Sequence, residues 1–206
     1  LQSLFKTAAT HWAERFPDFK VEASALASDL GQLLRQRMVS QFEEDGFAID
    51  LVQAVSGEGV STERLLEDPV DARNRLLLLS NLRKTGRLQA LQAVVQRASR
   101  LADKGDLPQS ALRADGVVDA SLFDSPSEGS LLAELQAMSP MALARDYEGL
   151  AQKLQDAALA LEAFFDGADS VMVMADDVSV RRNRLNLLGV LRNQACVLAR
   201  FDNIQS

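Results

Sequence analysis

Residues 164–203 read FFDGADSVMVMADDVSVRRNRLNLLGVLRNQACVLARFDN, and this stretch decides the fold. Phe164-Phe165-Asp166 closes an apolar helix at a turn carrying Gly167. The alternation Val171-Met172-Val173-Met174 predicts a short buried segment, since methionine fills irregular gaps in a core. Residues 166–176 are also the stretch where extended backbone is expected. Asp176-Asp177 then offers an N-cap, because a carboxylate accepts hydrogen bonds from the unpaired first amides of a helix. The helix behind this cap is expected to run to about Phe201. At about 100° per residue, Leu185, Leu188, Leu191, Ala195 and Leu198 form one stripe on it. Arg184 projects into that stripe, and Arg181 lies close beside it. Burying an unpaired guanidinium is costly, so Arg184 and Arg181 are assigned to structural ion pairs with Asp166, Asp176 and Asp177. Arg182 and Arg200 point away from the stripe, near one another in direction, and are better placed than Arg184 to meet phosphate. Arg192 sits at its edge and fits either role.

Composition agrees with helices. The chain has 206 residues, 47% of them hydrophobic and only 5% aromatic, enough for one or two helical cores but poor in strand formers. No apolar run approaches the ~18–20 residues of a membrane span, and no signal peptide is read at the start, so no membrane is expected. The first residue is Leu1 rather than Met, which suggests a piece of a longer protein. The one cysteine, Cys196, cannot form an internal disulfide and fits a reducing, cytoplasmic setting. A net charge of −7 argues against nucleic-acid binding through overall charge, although a local basic surface can still provide it.

Periodicity predicts helices over about 4–16, 21–44, 49–55 and 61–67. Asp68-Pro69 reads as a cap followed by a first-turn proline. The helix it opens contains Leu76-Leu77-Leu78-Leu79, apolar on every face and therefore expected to be buried all round. Gly86 breaks it, and 87–104 forms the next. Residues 107–129 carry Pro108, Gly116, Pro126 and several Ser and Asp, which predicts a mobile surface connection. A helix over about 128–138 follows. Ser139-Pro140 repeats the cap-plus-proline signal and is expected to start a long helix ending near Phe165. The expected fold is all-α, a helix bundle, with a helical segment over 1–66 and a helical domain over 67–206.

The residues argue against chemistry within this polypeptide. His11 is the single histidine, so neither a zinc site nor a multi-histidine hydrolytic centre can be assembled. No Gly-rich phosphate loop occurs. A basic series, Arg73, Arg75, Arg83, Lys84, Arg87, Arg97, Arg100 and Lys104, spans two consecutive helices. It reads equally as a solvated face and as a set of charge-assisted donors for phosphate. Phe164 and Phe165 read as core, with base stacking as the less favoured alternative.

In their order, FFD, VMVM, the acidic cap, Arg181 with Asn183-Arg184-Leu185 two residues on, and the later Leu191-Arg192 closely resemble the C-terminal end of the β subunit of bacterial-type glycyl-tRNA synthetases. The similarity extends more weakly upstream through Phe42–Phe47, Asp50, Gln53-Ala54-Val55, Arg75-Leu76, Leu82-Arg83, Gln96–Leu101 and Leu122-Phe123 with Pro126 and Glu128. Departures are an insertion at Ala168-Asp169-Ser170, Gln96 in place of a lysine, and a different ending over 199–204. The resemblance implies a domain related to the anticodon-binding domain of arginyl-tRNA synthetases. It implies tRNA-Gly and the synthetase α subunit as partners, in an α2β2 hetero-oligomer, with ATP and Mg held by the α subunit and no cofactor on this fragment. The RNA-binding residues expected on that basis are Arg182, Arg200, Arg192, Arg83, Lys84, Arg87 and Arg97. The alternative is a helical assembly module without RNA contact.

Overall fold

A computed structural model describes residues 2–18 and 22–205, and these residues hold helices and no strand. Among them nine α-helices run in order: α1 Gln2–Arg15, α2 Ala23–Glu44, α3 Ile49–Ser56, α4 Thr62–Glu67, α5 Pro69–Lys84, α6 Arg87–Ala102, α7 Pro126–Ala144, α8 Tyr147–Phe165 and α9 Val178–Leu198. Val21, expected to begin the second helix, lies outside the described residues. None of these helices is long and apolar enough to cross a membrane.

The described residues divide into two compact units, residues 2–18 and 22–80 with 203–205, and residues 81–202. The division falls inside α5. In the first unit α2 packs against α1, α3 and α4. Its core includes Phe42, Leu51, Val52, Val55, Leu65 and Leu66. Among the described residues, the buried Arg35 guanidinium makes its hydrogen bonds to oxygens other than carboxylates. It donates to the carbonyls of Ser56, Gly57 and Val60 and to Thr62 Oγ1, which fixes the turn between α3 and α4. In the second unit α9 packs against α6, α7 and α8, and α7 lies along α8. Burial of Leu131, Leu135, Leu154, Leu161, Phe164, Leu187, Leu188 and Leu191 at about 25 cal/mol per Å2 of apolar surface supplies its main driving force.

The local signals act largely as the chemistry requires. Asp68 Oδ1 accepts from the amides of Val70 and Asp71 at the start of α5. Asp177 Oδ1 accepts from Ser179 and Val180 at the start of α9. Gly86, at φ 74°, supplies the left-handed residue between α5 and α6.

Five expectations are corrected. The leucine run is not buried all round: Leu76 and Leu79 are buried, Leu78 is half-buried and Leu77 is exposed, as on an ordinary amphipathic helix. Ser139-Pro140 starts no helix. α7 passes through Pro140, which is exposed like Gln136 four residues before it, so the carbonyl left without an N–H partner lies toward water. The break falls at Arg145, φ 57°, and Asp146 caps α8 through the Gly149 amide. The third correction concerns 166–176, which folds as turns rather than extended chain. There Val173 is buried while Met172 and Met174 are 74% and 43% exposed, so the methionines do not fill the core. Fourth, α9 is buried on almost every side, continuously from Asn183 to Val190.

The fifth correction is the connection between α6 and α7. It carries only a short 3-10 turn at Ala120–Leu122, yet α9 ties it down along its length. Asn183 accepts from the Asp119 amide at 2.7 Å and donates to its carbonyl at 2.9 Å. Asn186 donates to Val117 O, Asn193 to Pro108 O and Ala111 O, and Gln194 to Leu112 O. Side-chain amides thus do here what helical amides do elsewhere, which is why the segment has no periodicity of its own. Gly189 completes the fit: a Cβ there would stand 2.9 Å from Leu107 Cδ2.

Candidate nucleic-acid interface

Arg184 is buried, as its position on the leucine stripe requires, but its partners are not the expected ones. Its Nε donates to Glu128 Oε1 at 2.9 Å, and its Nη2 to Glu128 Oε2 at 3.3 Å and to Asp124 Oδ2 at 3.0 Å. Nη1 reaches the Met172 carbonyl at 3.2 Å. Glu128 is fully buried in the first turn of α7, where its Oε2 also accepts from the amides of Asp124 and Ser125. This carboxylate holds the Arg184 guanidinium above its usual pKa range against the opposing effect of burial. Asp166, Asp176 and Asp177 do not take part. Asp166 pairs with Arg97, Asp177 is spent on its cap, and Asp176 is exposed. Arg181 lies half-buried and donates to the Ala175 carbonyl at 2.7 Å rather than to a carboxylate. The pairing of Arg184 with Glu128, fifty-six residues away in sequence, is what the stripe geometry alone does not reveal.

The remaining sequence-selected cations fall into two groups. The first follows the C-terminal half of α6. Arg97 and Arg100 are exposed three residues apart on one face of α6, and Lys104 is exposed in the turn just beyond its end. Two α9 arginines reach carboxylates just beyond α6: Arg192 Nη1 lies 2.8 Å from Asp103 Oδ1, and Arg182 Nη2 lies 3.2 Å from Asp106 Oδ2. Arg200 is half-buried, and its charge acts together with those of Arg192 and Asp103 on the Cys196 thiol, which places it beside this group. Three of these cations are paired, Arg97 with Asp166, Arg182 with Asp106 and Arg192 with Asp103, while Arg100 and Lys104 are exposed. Positive charge at the carbonyl end of α6 is also favoured by the helix dipole.

The second group sits at the other end of α6, where Arg87 lies about 15 Å from Arg97 along the axis at 1.5 Å per residue. Arg83 is half-buried and Lys84 exposed. Arg87 donates to Gln155 Oε1 at 3.0 Å and to Gln152 Oε1 at 2.8 Å on α8. Of the other cations in the series, Arg75 is buried against Asp71, and Arg73 pairs with Asp45 in the first unit. Neither belongs to the α6 flank.

Arg97 carries a further contact that the charge pattern does not show. Its guanidinium stands 4.4 Å from the centroid of the Phe165 ring, itself half-buried and edge-on to the buried Phe164. Phe164 is core, and Phe165 is a supporting surface for a cation. Most of the exposed ion pairs on this flank contribute about 0.2–1 kcal/mol each and are screened by salt. A phosphate could replace those carboxylates at small cost, and a guanidinium offers it two parallel donors.

The second unit is thus a helical bundle with a polar centre and a flank on which Arg97, Arg100, Lys104 and Arg182 are exposed and Arg192 is largely covered. No protein-family model matches the chain. Individual relatives do. The chain is 41% identical over 209 residues to the glycine–tRNA ligase β subunit of Acaryochloris marina (strain MBIC 11017), covering 99% of this chain and 29% of that subunit. It is 39% identical over 209 residues to the β subunit of Picosynechococcus sp. (strain ATCC 27264 / PCC 7002 / PR-6), with the same coverage. To that of Acinetobacter baumannii (strain AYE) it is 33% identical over 190 residues, 90% of this chain and 25% of that subunit. The chain belongs to the glycine–tRNA ligase β-subunit family and corresponds to a C-terminal part of it, spanning about three tenths of the length of these relatives.

Proposed function

We propose that this chain is the tRNA-docking part of a glycine–tRNA ligase β subunit. The flank formed by Arg97, Arg100, Lys104, Arg182 and Arg192 grips the anticodon arm of tRNA-Gly. The 3′ end is thereby directed to the α subunit, which binds ATP with Mg and glycine, within a cytoplasmic α2β2 assembly. The contribution is positioning: a correctly held tRNA makes the transfer step effectively intramolecular. The observation that carries the reading is the homology to glycine–tRNA ligase β subunits across 99% of the chain. The row of exposed cations along α6 supports it, because sequence-independent affinity for RNA is set by phosphate neutralisation.

The test is a titration of tRNA-Gly with the 206-residue chain as salt is raised. The expected result is a linear fall of log affinity with log salt. The variant Arg100→Glu/Lys104→Glu should weaken binding and flatten that slope by about two phosphate contacts. A binding curve indifferent to salt, or unchanged in this variant, would favour the protein-assembly reading instead.

A further inference from the structure

The segment between α8 and α9 presents apolar side chains outward although nothing in its sequence requires it. Met172, Met174 and Val178 are 74%, 43% and 66% exposed within seven residues. Their backbone is held from beneath. The Met172 carbonyl accepts from buried Arg184, Val173 is buried, the Val171 amide donates to Phe164 O, and Arg181 holds Ala175 O. The Asp169 carbonyl, one turn earlier, accepts from Ser125 Oγ and Ser127 Oγ. An apolar surface that stays out of the core while its backbone is fixed is preorganised for a partner.

The charge around it selects the partner. Asp169, Asp176 and Asp177 are exposed in the same segment, and Asp124, 71% exposed, shares the Arg184 guanidinium with the Met172 carbonyl. Arg181 is the cation beside them, and its guanidinium is engaged with backbone. A carboxylate rim repels phosphate, so this end of the unit is unsuited to RNA and contrasts with the cationic α6 flank. It also disfavours a second copy of a chain whose net charge is −7. Methionine side chains adapt to an apolar partner surface better than branched ones.

We infer that the Met172–Met174–Val178 surface docks an apolar protein segment bordered by Lys or Arg, supplied by the remainder of the β subunit. The relatives carry about 70% of their length beyond the part this chain matches, so such a segment has ample chain to come from. The inference rests on membership of the β-subunit family but not on tRNA docking by the α6 flank.

The experiment places the photo-crosslinking residue benzoylphenylalanine at Met172 or, separately, at Met174 in the full-length β subunit, with α subunit and tRNA-Gly present. Mass spectrometry should find an intramolecular crosslink to a peptide outside this region containing apolar residues and Lys or Arg. Met172→Asp/Met174→Asp, which leaves the buried Val173 and Arg184 in place, should render that peptide at least several-fold faster in proteolysis. Crosslinks to tRNA, to the α subunit or to a second β subunit, or no crosslink at either position, would overturn the inference. tRNA titration of the same aspartate variant is expected to match wild type, so the two proposals fail separately.

Discussion

Arg184 and Glu128 meet in the buried seam between α9 and α7, with Nε–Oε1 at 2.9 Å, and the same carboxylate caps the first turn of α7. One side chain therefore serves as counter-ion to one helix and as N-terminal acceptor of another. Removing either partner leaves an uncompensated buried charge. Arg184→Ala should destabilise the second unit by about 3–5 kcal/mol. At roughly 2–4 °C per kcal/mol its melting temperature should fall by about 6–20 °C, read by calorimetry. Arg182→Ala, at a 67% exposed position, should melt within about 2 °C of wild type. Because Glu128 raises the Arg184 pKa, the guanidinium keeps its charge on the alkaline side until pH climbs through that raised value.

Asn193 offers a test of how the α6–α7 connection is held. Its Nδ2 serves both Pro108 O and Ala111 O, at 2.8 and 3.0 Å. Asn193→Leu removes both donors from carbonyls packed against α9, at a cost of about 1–3 kcal/mol. Amides of 109–120 should exchange with solvent faster while those of α8 hardly change. Uniform exchange across the unit would contradict this local role.

Arg35 does the corresponding work in the first unit, and its partners are carbonyls, not carboxylates. Arg35→Ala should loosen residues 56–62 and lower stability by about 1–3 kcal/mol. Arg35→Lys should recover only part of the loss, since a compact ammonium cannot span acceptors on Gly57, Val60 and Thr62 in one plane. Full rescue by lysine, seen in urea unfolding, would mean that charge rather than the planar fork is what matters.

Acid should loosen the turn after Asp119 only below the range in which an ordinary carboxylate protonates. Hydrogen bonds from Ser121, side chain and amide, hold this carboxyl below its ordinary value of 3.8. A lowered value means the stabilisation is present above about pH 4 and fades as pH falls through the folded-state pKa. The Ser121 amide should lose protection from exchange below that point, while Asp119→Asn should lack this pH dependence.

How far the sequence could be read follows from the range of each interaction. Asp68-Pro69, Asp177 and Gly86 act within a turn, so their roles were legible from residue type alone. That Arg184 faces the core followed from its angle on the leucine stripe. That Glu128 is its partner did not, because the two lie fifty-six residues apart and Glu128 reads only as the start of a separate helix. Asn183, Asn186, Asn193 and Gln194 are buried against a connection without periodicity, so that segment looked mobile although its carbonyls are occupied. The exposed Met172 and Met174 misled for the opposite reason: alternation fixes neither which set faces inward nor that an apolar side chain is buried at all. Of the cations, helix spacing gathered Arg97, Arg100 and Lys104, but only the folded chain brings Arg182 and Arg192 to Asp106 and Asp103 beside them.

The measurement that bears most directly on tRNA docking compares two dissociation constants for the 206-residue chain at one fixed salt concentration. One is for tRNA-Gly and the other for the same tRNA with its anticodon replaced. Docking of the anticodon arm predicts binding at least tenfold weaker for the altered tRNA, about 1.4 kcal/mol. Equal constants for the two tRNAs would contradict it.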